Sequence, residues 1–77
     1  IILYPNPVIN RLFVEMSDKI STTPVRIELL SITGAVLRSK SFSGNTNLNV
    51  GDLSAGVYLL RFINGKDDVI LKKFVKN

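Results

Sequence analysis

The groups able to do chemistry in this 77-residue chain are carboxylates and lysines, because it contains neither histidine nor cysteine. Without those two residue types the usual general base at neutral pH, thiol chemistry, disulfide cross-links and the common zinc sites are all missing. What remains for acid–base work is Glu15, Asp18, Glu28, Asp52, Asp67, Asp68 and the lysines, and an enzyme would need several of them to converge. No spacing among them marks such a constellation. Asp67 and Asp68 follow a turn, where carboxylates commonly face water, and Asp52 follows Gly51 in the same manner. These three aspartates lack the alternating ligand spacing of a calcium loop, so a site for that ion would have to be assembled by folding. The residues therefore predict neither catalysis nor a cofactor.

A different kind of chemistry, recognition by a partner, is offered by Lys72-Lys73-Phe74-Val75-Lys76-Asn77. On a strand Lys72, Phe74 and Lys76 share one face and Lys73 and Val75 the other, so cationic side chains flank apolar ones beside a carboxylate. Such a strand offers backbone hydrogen bonds and side-chain specificity wherever its edge is free. Composition alone favours a plainer explanation, a solvated edge strand on which lysines discourage aggregation. Ten basic residues against six acidic ones give a formal charge of +4, and residues 61–77 hold five of the basic ones. A surplus of that size is within the range that serves solubility, and it does not by itself imply nucleic acid as a partner. Tyr58, Phe62 and Phe74 could stack on a sugar or a base, but alternating strands more often place such rings in the core.

The elements that must position these residues are short apolar segments separated every few residues by Gly, Asn, Pro, Ser and Asp, the rhythm of an all-β domain. Ile1 to Tyr4 reads as an edge strand ended by Pro5 and Pro7, which cannot donate to a ladder and press Tyr4 and Asn6 toward extended backbone. Arg11 to Met16 alternates with Leu12, Val14 and Met16 inward, and Phe13 leaves its outer face partly apolar. Ser17 to Pro24 is a polar connection. Val25, Ile27 and Leu29 alternate with Arg26 and Glu28, Thr33-Gly34 turns the chain, and the polar strand Ala35 to Phe42 has the character of an edge. After Ser43-Gly44-Asn45 come a short strand, Asn47 to Val50, a loop, and Val57 to Ile63, apolar on both faces and hence central. Asn64-Gly65 predicts a two-residue type I′ hairpin leading into a last strand near Asp68 to Val75.

About seven strands predict a small antiparallel Ig-like β-sandwich, with a partly open barrel of five or six strands as the alternative. The core is expected at Leu12, Val14, Ile27, Leu29, Tyr58, Leu60 and Phe62. One such domain of this length buries only about 60% of its extended surface, so packing must be efficient. No apolar run approaches the roughly 18 residues of a membrane-spanning helix, and no signal-peptide pattern opens the chain, so an exported protein would carry its signal elsewhere and these residues would be a fragment of it. The glycines sit at turns and, with no helix following, do not build a phosphate-binding loop.

Four motifs in order, Tyr4-Pro5-Asn6-Pro7 with Leu12-Phe13-Val14-Glu15, then Ile27 to Val36, then Leu53-Ser54-Ala55-Gly56-Val57-Tyr58-Leu59-Leu60-Arg61, then the lysine-bearing terminal strand, resemble the type A C-terminal sorting domain of Bacteroidetes proteins exported by the type IX (Por) secretion system. The resemblance spans residues 1–77. It implies a domain that is substrate rather than catalyst: its passenger enters the periplasm in transit and is taken to the outer membrane surface or the extracellular space. The implied partners are translocon and shuttle components, a surface sortase that removes the domain near its N-terminal junction, and the N-terminal passenger in cis. The residues the resemblance assigns to partner binding are Lys72, Lys73, Phe74, Val75, Lys76 and Asn77, with Gly56, Tyr58, Pro5, Asn6 and Pro7. Weak self-association through a sheet edge is a further expectation. The competing expectations are an accessory β-sandwich that binds carbohydrate or mediates adhesion, which would need an exposed aromatic platform or a calcium-supported loop, and a plain spacer domain.

Overall fold

The computed structural model describes residues 1–16, 25–64 and 69–77. Seven strands follow in chain order: β1 (Ile2–Tyr4), β2 (Arg11–Glu15), β3 (Val25–Ser31), β4 (Val36–Phe42), β5 (Thr46–Asn49), β6 (Gly56–Ile63) and β7 (Val69–Lys76). They form two antiparallel sheets, of order β1-β2-β5 and β4-β3-β6-β7. This is the seven-strand sandwich that the alternation predicts.

Alternation decides which side chains go inside. Leu12 and Val14 of β2, Ile27 and Leu29 of β3, and Leu60 and Phe62 of β6 are buried, as expected. Tyr58 is only half-buried, and the core also takes Val8, Phe42, Val50 and Phe74. Leu30 is buried as well, on the opposite face from Leu29; the register shift at this point lies in β4, where Leu37 is the extra residue, and the pairing of β3 with β6 runs unbroken from Arg26 to Ser31. β6 lies between β3 and β7, which explains its two apolar faces. On the outer face of the larger sheet Glu28 is paired across strands with Arg61. Arg61 donates to its carboxylate from Nε at 2.7 Å and Nη2 at 2.5 Å, and Arg26 adds a contact at 3.5 Å. On the smaller sheet the half-apolar outer face is resolved by stacking: Phe13 lies opposite Tyr4, with ring centroids 5.5 Å apart.

The last two strands pair as expected, but the register joins Ile63 to Val69, so residues 64–68 connect them instead of a two-residue turn at Asn64-Gly65. Gly65, Asp67 and Asp68 lie outside the described residues, as does the Ser17 to Pro24 connection.

Arg38 and Lys40 are paired with Leu29 and Ile27, so they project from β4 toward the inside of the sandwich. There they cross to the edge of β5. Arg38 Nη1 donates to the Asn49 carbonyl at 2.6 Å, and Lys40 Nζ donates to Thr46 Oγ1 at 2.9 Å and the Asn47 carbonyl at 3.1 Å. Arg38 also pairs with Asp52. Cationic side chains thus close the side of the sandwich where β4 meets β5, their stems covering apolar surface while their heads satisfy strand carbonyls.

Leu60 is fully buried between the sheets. Leu60→Ala is expected to cost about 2–5 kcal/mol, the range for truncating a core leucine, as read from the shift of a denaturant unfolding midpoint at unchanged slope.

Candidate functional site

β1 ends at Tyr4 because Pro5 and Pro7 supply no amide hydrogen. Both peptide bonds preceding these prolines are cis. The chain then leaves the smaller sheet and reaches β7 of the larger one. Val75 N–H donates to Asn6 Oδ1 at 2.8 Å, Val8 N–H donates to the Val75 carbonyl at 2.8 Å, and Asn77 N–H donates to the Val8 carbonyl at 2.9 Å. Val8 thereby forms a parallel bridge with Lys76 while its side chain is fully buried. Two motifs at opposite ends of the sequence are clasped together.

The third motif joins them from the other side of β7. In the β6–β7 ladder Gly56 is opposite Lys76 and Tyr58 is opposite Phe74. The Tyr58 ring stacks on Phe74 at 5.7 Å, and its hydroxyl donates to the Ser54 carbonyl at 2.6 Å, tying the loop before β6 to the core. Gly56 opens β6 with φ of +155°, a conformation that side-chain-bearing residues rarely adopt, although no neighbour would meet an added Cβ. The requirement at Gly56 is therefore one of backbone conformation, not of space.

The structure places the residues expected to bind a partner in different surroundings. Phe74 is 0% exposed and Lys76 only 6% exposed, so neither side chain is a free handle. Phe74 fills the core, and Lys76 Nζ donates to the Asn77 main-chain oxygen at 2.6 Å. Tyr58 and Val75 are half-buried, while Lys72, Lys73, Asn77, Gly56, Pro5, Asn6 and Pro7 are exposed. Lys72 and Lys73 lie opposite Leu60 and Leu59, and among the described residues neither makes a salt bridge. They stand beyond the clasp on opposite faces of β7.

The electrostatics are local to the neighbouring loop. The Asp52 carboxyl is held below its usual 3.8 first by the hydrogen bond from Arg38, then by a backbone hydrogen bond and by the positive charges of Arg38 and Lys76. The Arg38 guanidinium is raised in return, chiefly by the same hydrogen bond. Asp52 thus serves as an ion-pair partner. Among the described residues no group of acidic side chains could hold a metal ion. One cleft, of about 200 Å³, opens between β4 and β5 over Ile27, Leu29 and Leu48. It is smaller than the roughly 300–1,000 Å³ typical of ligand sites, and its two cations already bond to β5.

Sequence periodicity gave no sign of Val8, which joins no named strand and follows a proline, nor of the inward-facing Arg38. A buried valine beside two prolines becomes legible only once the edge of β7 is present to receive it.

The chain belongs to the secretion system C-terminal sorting domain family, whose model matches residues 2–77. It is thus a type IX secretion sorting domain, and a protein carrying it is secreted across the outer membrane. No curated protein matches the chain.

Two substitutions test the assembled site. Asn6→Ala removes the acceptor of the Val75 amide and is expected to cost about 0.5–1.5 kcal/mol, with faster hydrogen exchange at Val75 than in the parent chain. Gly56→Ala is expected to lose on the order of 1–3 kcal/mol through backbone strain alone, as measured by thermal or denaturant unfolding.

Proposed function

We propose that the folded domain is recognised by the type IX translocon through β7, with Lys72 and Lys73 as the charged part of the signal, and that the domain is cargo for this machinery with no catalysis of its own. The observation that carries this reading is the position of the two lysines: exposed, adjacent, on opposite faces of a sheet-edge strand, and without a carboxylate partner among the described residues. Charged groups at such a place steer and select partners at little cost to the fold. The passenger is carried in cis, on the N-terminal side, and passes through the periplasm before it reaches the translocon. A surface sortase then removes the domain near its N-terminal junction and transfers the passenger to anionic lipopolysaccharide.

The test is to fuse residues 1–77 to a periplasmic reporter in a host with an active type IX system. Lys72→Ala with Lys73→Ala is expected to leave the reporter in the periplasm while inner-membrane export continues and the unfolding midpoint stays close to that of the parent, because neither side chain fills the core. Surface delivery of the folded double variant at the parent rate would remove these lysines from the signal and point to Gly56 or to Pro5-Asn6-Pro7.

A further inference from the structure

The larger sheet has two edge strands, β4 and β7, and their cations are in different states. Those of β4 are consumed: Arg38 and Lys40 turn inward and bond to β5. Of those of β7, Lys76 bonds to the Asn77 main-chain oxygen, while Lys72 and Lys73 have no carboxylate among the described residues.

The backbone of β7 also divides into two parts. The amide and carbonyl of Val75 point away from β6, since Asn6 and Val8 take them. Alternation along an antiparallel ladder then turns the amides and carbonyls of Lys73, Leu71 and Val69 outward as well. No described residue pairs with them, because the clasp ends at Val75. Val69, Ile70 and Leu71 are 53%, 47% and 57% exposed. Ile70 shares the inward face with Phe74, so its exposure shows that the smaller sheet does not extend over this part of β7. Five consecutive residues thus combine a ladder edge that no described residue occupies, apolar side chains on both faces, and on each face a cation with no carboxylate among the described residues.

We propose that Val69–Lys73 accepts an extended strand from a partner protein, added to the edge of β7, and that the added strand bears carboxylates beside Lys72 and Lys73 and apolar side chains beside Ile70 and Leu71. Main-chain bonds to residues 69, 71 and 73 supply the affinity, and the flanking side chains supply the selection. The two lysines disfavour a basic strand, and a neutral apolar strand would leave their charges uncompensated. The clasp at Asn6 and Val8 sets the limit of the docking track, since it already occupies the next outward-facing position. The proposal rests on the reading of β7 as the sorting signal and specifies the chemistry of what reads it.

Proline at position 71 separates backbone from side chain. An edge strand tolerates proline where the amide faces outward, so Leu71→Pro removes a docking donor while the ladder to β6 keeps its bonds. Leu71→Thr retains the amide and is the control. In the reporter assay the threonine variant is expected at the surface and the folded proline variant in the periplasm. A folded Leu71→Pro delivered at the parent rate would overturn strand addition and leave the sorting role standing, whereas failure of the parent fusion to be delivered would remove the sorting role itself. A second measurement needs no variant. In the 77-residue chain the amides of Leu71 and Lys73 are expected to exchange rapidly and those of Ile70 and Lys72 slowly. A short peptide of the block pattern Val-Val-Glu-Glu, which places one valine and one carboxylate on each face, should slow Leu71 and Lys73 by about tenfold or more near saturation, and its Val-Val-Lys-Lys counterpart should not. Equal protection by both peptides, by neither, or by raising the concentration of the chain alone would overturn the proposal, the last outcome assigning the edge to a second copy.

Discussion

Val8 joins the two sheets. Its side chain lies fully inside the sandwich, and its amide and carbonyl complete the edge of β7 by bonding to Val75 and Asn77. A buried side chain draws its own backbone groups into the fold, and those of Val8 find partners on β7. The same three hydrogen bonds therefore satisfy the segment after β1, seat Phe74 and Lys76, and close one side of the sandwich. Pro5 and Pro7 restrict the segment so that few of its groups compete for those partners. In a domain this small, with no cross-links, one such clasp organises a large share of the structure.

The opposite side is closed by different chemistry. Arg38 and Lys40 reach from β4 to the carbonyls of β5, and Asp52 completes the contact with Arg38. Main-chain bonds to an extended segment lock one flank, and long cationic side chains span the other. Inside, Leu12, Ile27, Leu60 and Phe74 need no polar partner and supply most of the stabilisation. The half-buried Glu28, gripped by Arg61 across the strands, fixes register on the outer face of the larger sheet.

This architecture suits a signal that other proteins read. The cleft between β4 and β5 is roofed by cations already in use. What the fold presents is a strand whose C-terminal end is fixed by the clasp and whose preceding residues remain open. Phe74 and Lys76, which share a face with Lys72, are held inside, so the outward features of β7 are backbone, lysine and aliphatic side chains. A rigid strand end beside an open edge would leave little conformational entropy to lose in the binding proposed for β7.

The alternation of Arg11 to Met16 and of Val25 to Leu29, and the doubly apolar run Val57 to Ile63, were enough to place β2, β3 and β6 and to identify their inward faces, since a two-residue period has only two assignments and water decides between them. Family membership was likewise legible in four ordered motifs. Ring chemistry already favoured the core for Phe74, but the sequence could not distinguish Lys76 from Lys72, because residues with the same parity on a strand differ in burial only through what lies across from them. Phe74 and Lys76 are covered because the segment around Val8 crosses to β7, and Ile70 and Lys72 are uncovered because the smaller sheet stops short. The register of Ile63 with Val69 also overrode the local preference of Asn64-Gly65 for a tight turn. Local patterns were set by side-chain chemistry along the chain. The clasp, the inward cations and the open stretch of β7 were decided by contacts between residues as far apart as Asn6 and Val75, which no local period encodes.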